Sequence, residues 1–112
     1  GAISVEAPDG TSHEIDPDAL AALFAAAGEH VQCVLLNACF SEIQAFAIAQ
    51  RVPFVIGMRT SISDEAAIAF ATGFYRALGA GKDVPVAFEL GIVELKLFGI
   101  AEHETPVIVQ RP

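Results

Sequence analysis

Hydrophobic residues along this chain switch repeatedly between the spacing typical of β-strands and the spacing typical of α-helices. Short apolar runs predict strands at residues 30–36, 53–58 and 105–109. Longer segments, in which apolar residues recur every three or four positions, predict helices at residues 41–50, 64–78 and 83–98. Strands that alternate with helices in this order indicate an α/β domain, whose parallel or mixed sheet carries helices on both faces.

The N-terminal part of the chain predicts a β-hairpin followed by a helix. Residues 2–6 alternate in polarity as a half-exposed strand, and residues 12–15 can return beside them after a Pro-Asp-Gly turn. We expect this hairpin at an edge of the sheet. A helix then runs from Pro17 to Gly28, because proline is favoured at the first helical position and glycine commonly ends helices. Asp16 is its N-cap.

Capping residues mark the start of two later helices. Ser41 and Gln44 match a capping box, in which the serine side chain accepts a hydrogen bond from a backbone N–H of the first turn. Asp83 is the expected N-cap of the last helix. Neither segment belongs to an internal repeat or to a stretch of low complexity.

Composition limits the chain to one domain, residues 1–112, and excludes several classes of function. Hydrophobic residues make up 54% of it, which indicates tight helix packing or an apolar face covered by more protein. No apolar stretch reaches the ~18 residues of a membrane span, so we expect no membrane partner. A net charge of −8, with six scattered Lys and Arg residues, argues against nucleic-acid binding and suits basic substrates.

Two cysteines are too few for a disulfide framework. Cys33 lies inside a strand pattern and has the character of a small buried hydrophobe. A reducing, cytoplasmic location is the natural expectation. The chain begins at Gly1 without a methionine and is in a strand pattern by Ile3, so we expect a processed piece or a part of something longer.

Cys39 is the most informative residue of the sequence. It follows the apolar run of residues 34–36 and precedes a helix start, so its thiol is expected at the carboxyl end of a strand, where open α/β sheets place functional groups. The amides and dipole of the following helix would favour a thiolate or an oxyanion there. A buried structural cysteine is the other interpretation, since free cysteines are among the most often buried residues.

Asp64 and Asn37 are the polar residues predicted to lie near this thiol. Asp64 follows the strand at residues 53–58, whose carboxyl end should meet the same sheet edge as Cys39. A carboxylate in that position would select a cationic side chain. The plainer interpretation is that Asp64 is an acid in the first turn of a helix, where it is favourable to the helix dipole.

No histidine is a convincing base for Cys39. His30 is nearest in sequence, but an extended strand of nine residues separates it from Cys39 by more than ~20 Å. His13 lies beside the hairpin and His103 in a late loop. Metal-ligating residue types are not clustered at usable spacings, so neither a metal nor another cofactor is expected.

Two runs of sequence, at residues 34–41 (Val-Leu-Leu-Asn-Ala-Cys-Phe-Ser) and 55–67 (Val-Ile-Gly-Met-Arg-Thr-Ser-Ile-Ser-Asp-Glu-Ala-Ala), together resemble the CHAT domain. This is a caspase-like domain related to separases, in the wider clan of Cys-His proteases. The resemblance extends over about residues 31–98. It implies a caspase-like α/β fold that is incomplete at its N-terminal side.

The resemblance also implies a role for individual residues. Cys39 is the nucleophile, and its own backbone N–H is one oxyanion donor. Asn37 matches a position that faces the primary specificity pocket, and Asp64 matches the acid that gives separase-like members a preference for a basic P1 residue. Met58 and Arg59 match the segment that aligns a substrate strand by backbone pairing.

The chain departs from the family pattern in its base. The catalytic histidine of the family lies in a Gly-His-Gly type motif upstream of the segment that matches residues 1–5. The prediction is therefore a cysteine endopeptidase fragment that is inactive alone, with a protein or peptide substrate. The alternative is a non-catalytic caspase-like interaction module. Partners implied are TPR or other interaction modules in the parent chain, or self-association through an exposed edge.

Overall fold

The computed structural model describes residues 3–6, 12–27 and 31–112. At the N-terminus, β1 (Ile3–Glu6) pairs with β2 (Ser12–Ile15) in an antiparallel hairpin, which confirms that prediction. The hairpin forms a separate sheet and is not an edge of the main one. Helix α1 (Pro17–Ala27) follows as expected. The predicted turn residues 8–10, Gly28 and His30 lie outside the described residues.

The main sheet consists, in the described chain, of β3 (Cys33–Leu35), β4 (Phe54–Met58) and β5 (Pro106–Gln110), in the order β3-β4-β5. Strands β3 and β4 are parallel, and β4 and β5 are antiparallel. The predicted mixed sheet is confirmed. Strand β3 is shorter than predicted and half-buried, because it has a neighbour on one side only in the sheet as described.

The helices that flank this sheet are α2 (Glu42–Ile48), α3 (Asp64–Gly79) and α4 (Val84–Leu97). Asp83 caps α4 as predicted, because its side chain accepts a hydrogen bond from the N–H of Val86 at 2.9 Å. Ser41 is the N-cap of α2, as predicted, but the capping bond predicted for its side chain is absent. Its side chain makes no capping bond and instead turns inward to the sheet, where it bonds the backbone of β4.

Helices cover both faces of the sheet, as the alternating strand pattern predicted. On β4, Val55 points to the α2 side and joins a cluster with Ala45, Ile48, Ala49 and Val52. Ile56 and Met58 point to the other side and join a larger cluster built from α3 and α4. The centre of that cluster is aromatic, since the ring of Phe70 stacks on Phe74 and meets the edge of Phe88.

Gly57 lies on β4, and a side chain at this position would face α2. The absence of one sets how closely α2 approaches the sheet. A Cβ atom at Gly57 would lie 2.9 Å from the Cβ of Ala45 and 3.0 Å from the backbone oxygen of Ser41. Contacts this short are not tolerated, and one of the opposing atoms is backbone that cannot turn away. Glycine is therefore required here for steric reasons.

Replacing Gly57 by alanine should destabilise the domain by about 1–3 kcal/mol, because α2 must move away from β4. The measurement is urea unfolding followed by circular dichroism. Gly79→Ala is the matched control, since nothing lies within 4 Å of the position its Cβ would take at the end of α3. The control should be neutral or slightly stabilising. Equal effects of the two substitutions would contradict the steric explanation.

Candidate functional site

Three loops of the described chain meet at one edge of the main sheet. Strands β3 and β4 are parallel and both end there, and the antiparallel β5 begins there. The loops are residues 36–41, 59–63 and 99–105. Their backbones bond to one another, from Phe40 N to Thr60 O at 3.2 Å and from Arg59 N to Thr105 O at 2.9 Å. This C-terminal edge is where the sequence predicted the site.

Ser41 fixes the loop at residues 36–41 to the sheet through its side chain. Its side chain is fully buried. The hydroxyl accepts a hydrogen bond from the N–H of Met58 at 2.9 Å and donates one to the carbonyl of Leu36 at 3.4 Å. Leu36 directly follows β3, and Met58 is the last residue of β4. The Ser41 side chain therefore joins the ends of the two strands next to the turn that carries Cys39.

Cys39 lies exposed on that turn, directly against the loop that follows β4. The N–H of Ile62 points at its sulfur, with a nitrogen–sulfur distance of 3.4 Å, and the thiol can donate to the carbonyl of Ile62 at 3.7 Å. The next residue, Phe40, has a φ of 58°, in the left-handed region that non-glycine residues rarely adopt. The thiol is thus presented by a strained turn, as a side chain on its surface.

Asn37 lies on the loop that carries Cys39, and Asp64 begins the helix that follows the loop at residues 59–63. Asn37 is exposed two residues before Cys39, and Asp64 is the exposed first residue of α3. Ile62, which contacts the sulfur, lies two positions before Asp64. Neither polar side chain forms a hydrogen bond with the thiol in the part of the chain that the structure describes.

Met58 and Arg59 are already engaged within the domain. The side chain of Met58 is completely buried, and its backbone N–H donates to Ser41. The backbone N–H of Arg59 donates to Thr105, and its exposed guanidinium lies 3.9 Å from the carboxylate of Glu42. These two N–H groups are therefore occupied, and a substrate strand that pairs with this segment would have to use other backbone groups.

Glu102 is a residue of this edge that sequence reasoning missed. One carboxylate oxygen accepts from the N–H of Ser63 and the other from the Ser63 hydroxyl, both at 2.7 Å. These bonds lower the pKa of the Glu102 carboxyl below its ordinary value. The clasp ties the loop before β5 to the N-cap of α3. No periodicity marks such a pair in the sequence, because its members lie on two irregular loops far apart in the chain.

The described structure adds no base to the thiol. His103 is half-buried in the loop at residues 99–105, beside a hollow of about 250 Å³. It is not a hydrogen-bond partner of Cys39, whose bonds are with Ile62. The side chain of His13 and all of His30 lie outside what the structure describes. Within the described residues, no group of three or more His, Cys, Asp and Glu side chains could hold a metal ion.

No protein-family model matches this chain, and no curated protein matches it. The interpretation of the site therefore depends on its own geometry and chemistry. In the described part of the chain, the helices are too short or too polar to cross a membrane.

The two cysteines have different environments. Cys39 is exposed on the turn, whereas Cys33 packs on β3 beside the larger core cluster. Burial raises the pKa of the Cys33 thiol to about 11 from an ordinary value of 9.0. A protonated Cys33 therefore contributes stability that is fully present below about pH 9 and is lost as the pH rises toward 11.

Iodoacetamide at pH 8 should alkylate Cys39 and leave Cys33 intact. At that pH, a thiol with a pKa of about 11 is ionised in only about one molecule in a thousand. Peptide mass mapping after timed quenching measures both sites in one sample, and unfolding in urea is the control in which both should react. Comparable alkylation of the two cysteines in the folded chain would contradict the environment assigned to Cys33.

Proposed function

We propose that this chain carries the nucleophile of a cysteine endopeptidase of the CHAT type, with Cys39 as that nucleophile. A base takes the thiol proton, the sulfur attacks the scissile carbonyl carbon, and the C–N bond breaks as that proton passes to the leaving amine. Water then hydrolyses the thioester, which releases the carboxylic acid and restores the thiol. The proposal includes a caspase-like arrangement in which further strands extend the main sheet. The one-sided edge at β3 supports such an extension.

The presentation of the thiol is the observation that carries this proposal. Cys39 is exposed at the carboxyl end of a strand, on a turn that Ser41 anchors from below. Phe40 holds a left-handed conformation that costs about 1–3 kcal/mol and persists only when the surroundings impose it. Such strain is concentrated at functional sites, since it aims a side chain where regular structure would not.

The charge of the C-terminal edge supports a basic P1 side chain. Asp64, Glu65 and Glu104 are exposed carboxylates on or beside its loops, whereas the carboxylate of Glu102 is occupied by Ser63. Arg59 is the cation of these loops, and it lies near Glu42. An arginine or lysine of a substrate would meet a negative potential here, and Asp64 is the carboxylate closest in sequence to the thiol contact at Ile62.

The general base of this mechanism is a histidine from a segment N-terminal to Gly1. General-base catalysis contributes ~10²–10⁴ in rate, so we expect little turnover by the 112-residue chain itself. The activity is assigned to the cytoplasm, where free thiols persist. Its partners are a protein or peptide substrate and the interaction modules of the parent chain.

A peptide ketone that alkylates thiols tests the nucleophile and the pocket together. In the parent polypeptide, a probe with P1 Arg should label Cys39 at least about tenfold faster than the same probe with P1 Asp, because a charge-assisted hydrogen bond is worth about 1.5–3 kcal/mol. Cys39→Ala should abolish the labelling. Absence of labelling at Cys39, or equal rates with the two probes, would show the proposal to be wrong.

The contribution of Asp64 is separated from that of the general acidic field by a matched pair of variants. Asp64→Asn should remove most of the preference for P1 Arg, whereas Glu65→Gln should leave it nearly unchanged. Both residues are exposed carboxylates in the first turn of α3, so the two variants change the net charge and the helix equally. If the two variants lower the preference equally, the specificity comes from net charge and not from Asp64.

A non-catalytic interaction module is the second candidate, and one observation favours it. The sulfur of Cys39 is bonded to both the N–H and the carbonyl of Ile62, as in a thiol that ties two loops together. In that case Cys39→Ser would preserve every function of the parent protein. The P1 Arg probe would also label Cys39 no faster than the P1 Asp probe does.

A further inference from the structure

Helix α4 is apolar on two sides, although only one of them packs against the domain. Its inner side is buried and consists of Ala87, Phe88, Gly91 and Leu95. Its outer side carries Val86, Leu90, Val93 and Leu97, which are 42%, 39%, 40% and 74% exposed. We call these four outer residues the α4 seam. A helix that is apolar all round is normally covered on all sides.

The spacing of the α4 seam is that of a helix that pairs with another helix. Its members follow one another at intervals of four, three and four positions. This is the a/d pattern of coiled coils, with Leu90 and Leu97 at a positions and Val86 and Val93 at d positions. At 100° per residue these side chains fall within a stripe of about 60° on the helix surface. The stripe is narrow and continuous along the whole of α4.

A groove runs beside the α4 seam. It lies between α3 and α4, has a volume of about 250 Å³ and is lined by Leu90, Val93 and Leu97 on one side. The small residues Gly73, Ala77 and Ala80 line it on the α3 side, together with Arg76 and with Lys82 after the helix end. Small residues opposite large ones leave room for side chains from a second helix, in the manner of knobs that enter holes.

We propose that the occupant of this surface is the α4 helix of a second copy of this chain, packed antiparallel about a two-fold axis. The seam is self-complementary, because Leu90 of one copy then meets Val93 of the other and Leu97 meets Val86. An interface of this kind uses the same patch on both copies, as two-fold dimers do. It goes beyond the proposed peptidase function and does not depend on Cys39.

The charges beside the seam select the antiparallel orientation. Glu89 and Lys96 both lie at g positions, which face each other across an antiparallel pair, so Glu89 of each copy meets Lys96 of the other. A parallel pair would instead place Glu89 opposite Glu94 of the second copy and bring like charges together. Glu94 already has a partner within the chain, since Arg76 lies 3.4 Å from its carboxylate.

The size of the surface predicts a weak dimer. Helix α4 has 14 residues and is therefore about 21 Å long. A single pair of such helices buries less than the ~1,200–2,000 Å² of a standard interface. We expect association that depends on concentration, with dimers populated at roughly 100 μM and monomers at roughly 1 μM.

Analytical ultracentrifugation of charge-reversed variants tests both the partner and the orientation. Glu89→Lys and Lys96→Glu should each weaken the dimer about tenfold at low salt, because each creates two repulsive pairs per dimer. The double variant should restore the affinity of the unchanged chain. These side chains are exposed, so folding should be retained, and circular dichroism checks it. Failure of the double variant to recover would overturn the antiparallel arrangement.

Apolar variants decide whether the α4 seam is the contact. Leu97→Ser should weaken the dimer more than tenfold. Ile43→Ser is the matched control, since Ile43 is 72% exposed on α2, across the sheet, and its loss should have no effect. Cys39→Ala should also leave the dimer unchanged. A chain that stays monomeric at ~1 mM, or a dimer lost in Ile43→Ser and kept in Leu97→Ser, would overturn the proposal.

Discussion

The close approach of α2 to β4 is the constraint on which the rest of this structure depends. Gly57 leaves no Cβ between strand and helix, so Ala45 and the backbone of Ser41 approach β4 closely, and the fully buried hydroxyl of Ser41 bonds the N–H of Met58. A buried hydroxyl is costly unless it is bonded, so this bond also fixes the distance between the two elements. The same hydroxyl also bonds the carbonyl of Leu36, so both ends of the loop that carries Cys39 are held to the sheet.

The sequence predicts the fold well where burial imposes a pattern. The mixed sheet and the order of its strands and helices follow from hydrophobic periodicity, because the two faces of β4 pack in two different apolar clusters. Strand β3 is the exception. Of the strand predicted at residues 30–36, three residues are paired regularly in the described chain, where β3 has β4 as a neighbour on one side only. The predicted capping bond of the Ser41 side chain is absent because its hydroxyl bonds the N–H of Met58 on the sheet and not the first turn of α2.

The candidate site could be predicted only in part, because strand direction can be predicted from the sequence whereas the packing of loops cannot. Cys39 and Asp64 could be placed at one edge because strand direction decides where loops meet. The left-handed turn at Phe40 and the clasp between Glu102 and Ser63 could not, since both depend on how irregular loops pack after the sheet has formed. The outer face of α4 lies between these cases. The spacing of the α4 seam is visible in the sequence. Only the structure shows that the other side of α4 packs on the domain and that the seam stays exposed.

The clasp between Ser63 and Glu102 has a consequence for how the chain is closed on itself. The two residues lie 39 positions apart and bracket both α3 and α4, so their hydrogen bonds close that whole helical hairpin into a loop. The entropy of closing a loop rises only slowly with its length, and helical hairpins with near-neighbour contacts form faster than distant strand pairs. The clasp lies three residues before Thr105, whose carbonyl accepts from the N–H of Arg59 at the end where β5 pairs with β4. The carboxylate of Glu102 thus closes a stretch of 39 positions shortly before Pro106, the first paired residue of the last strand.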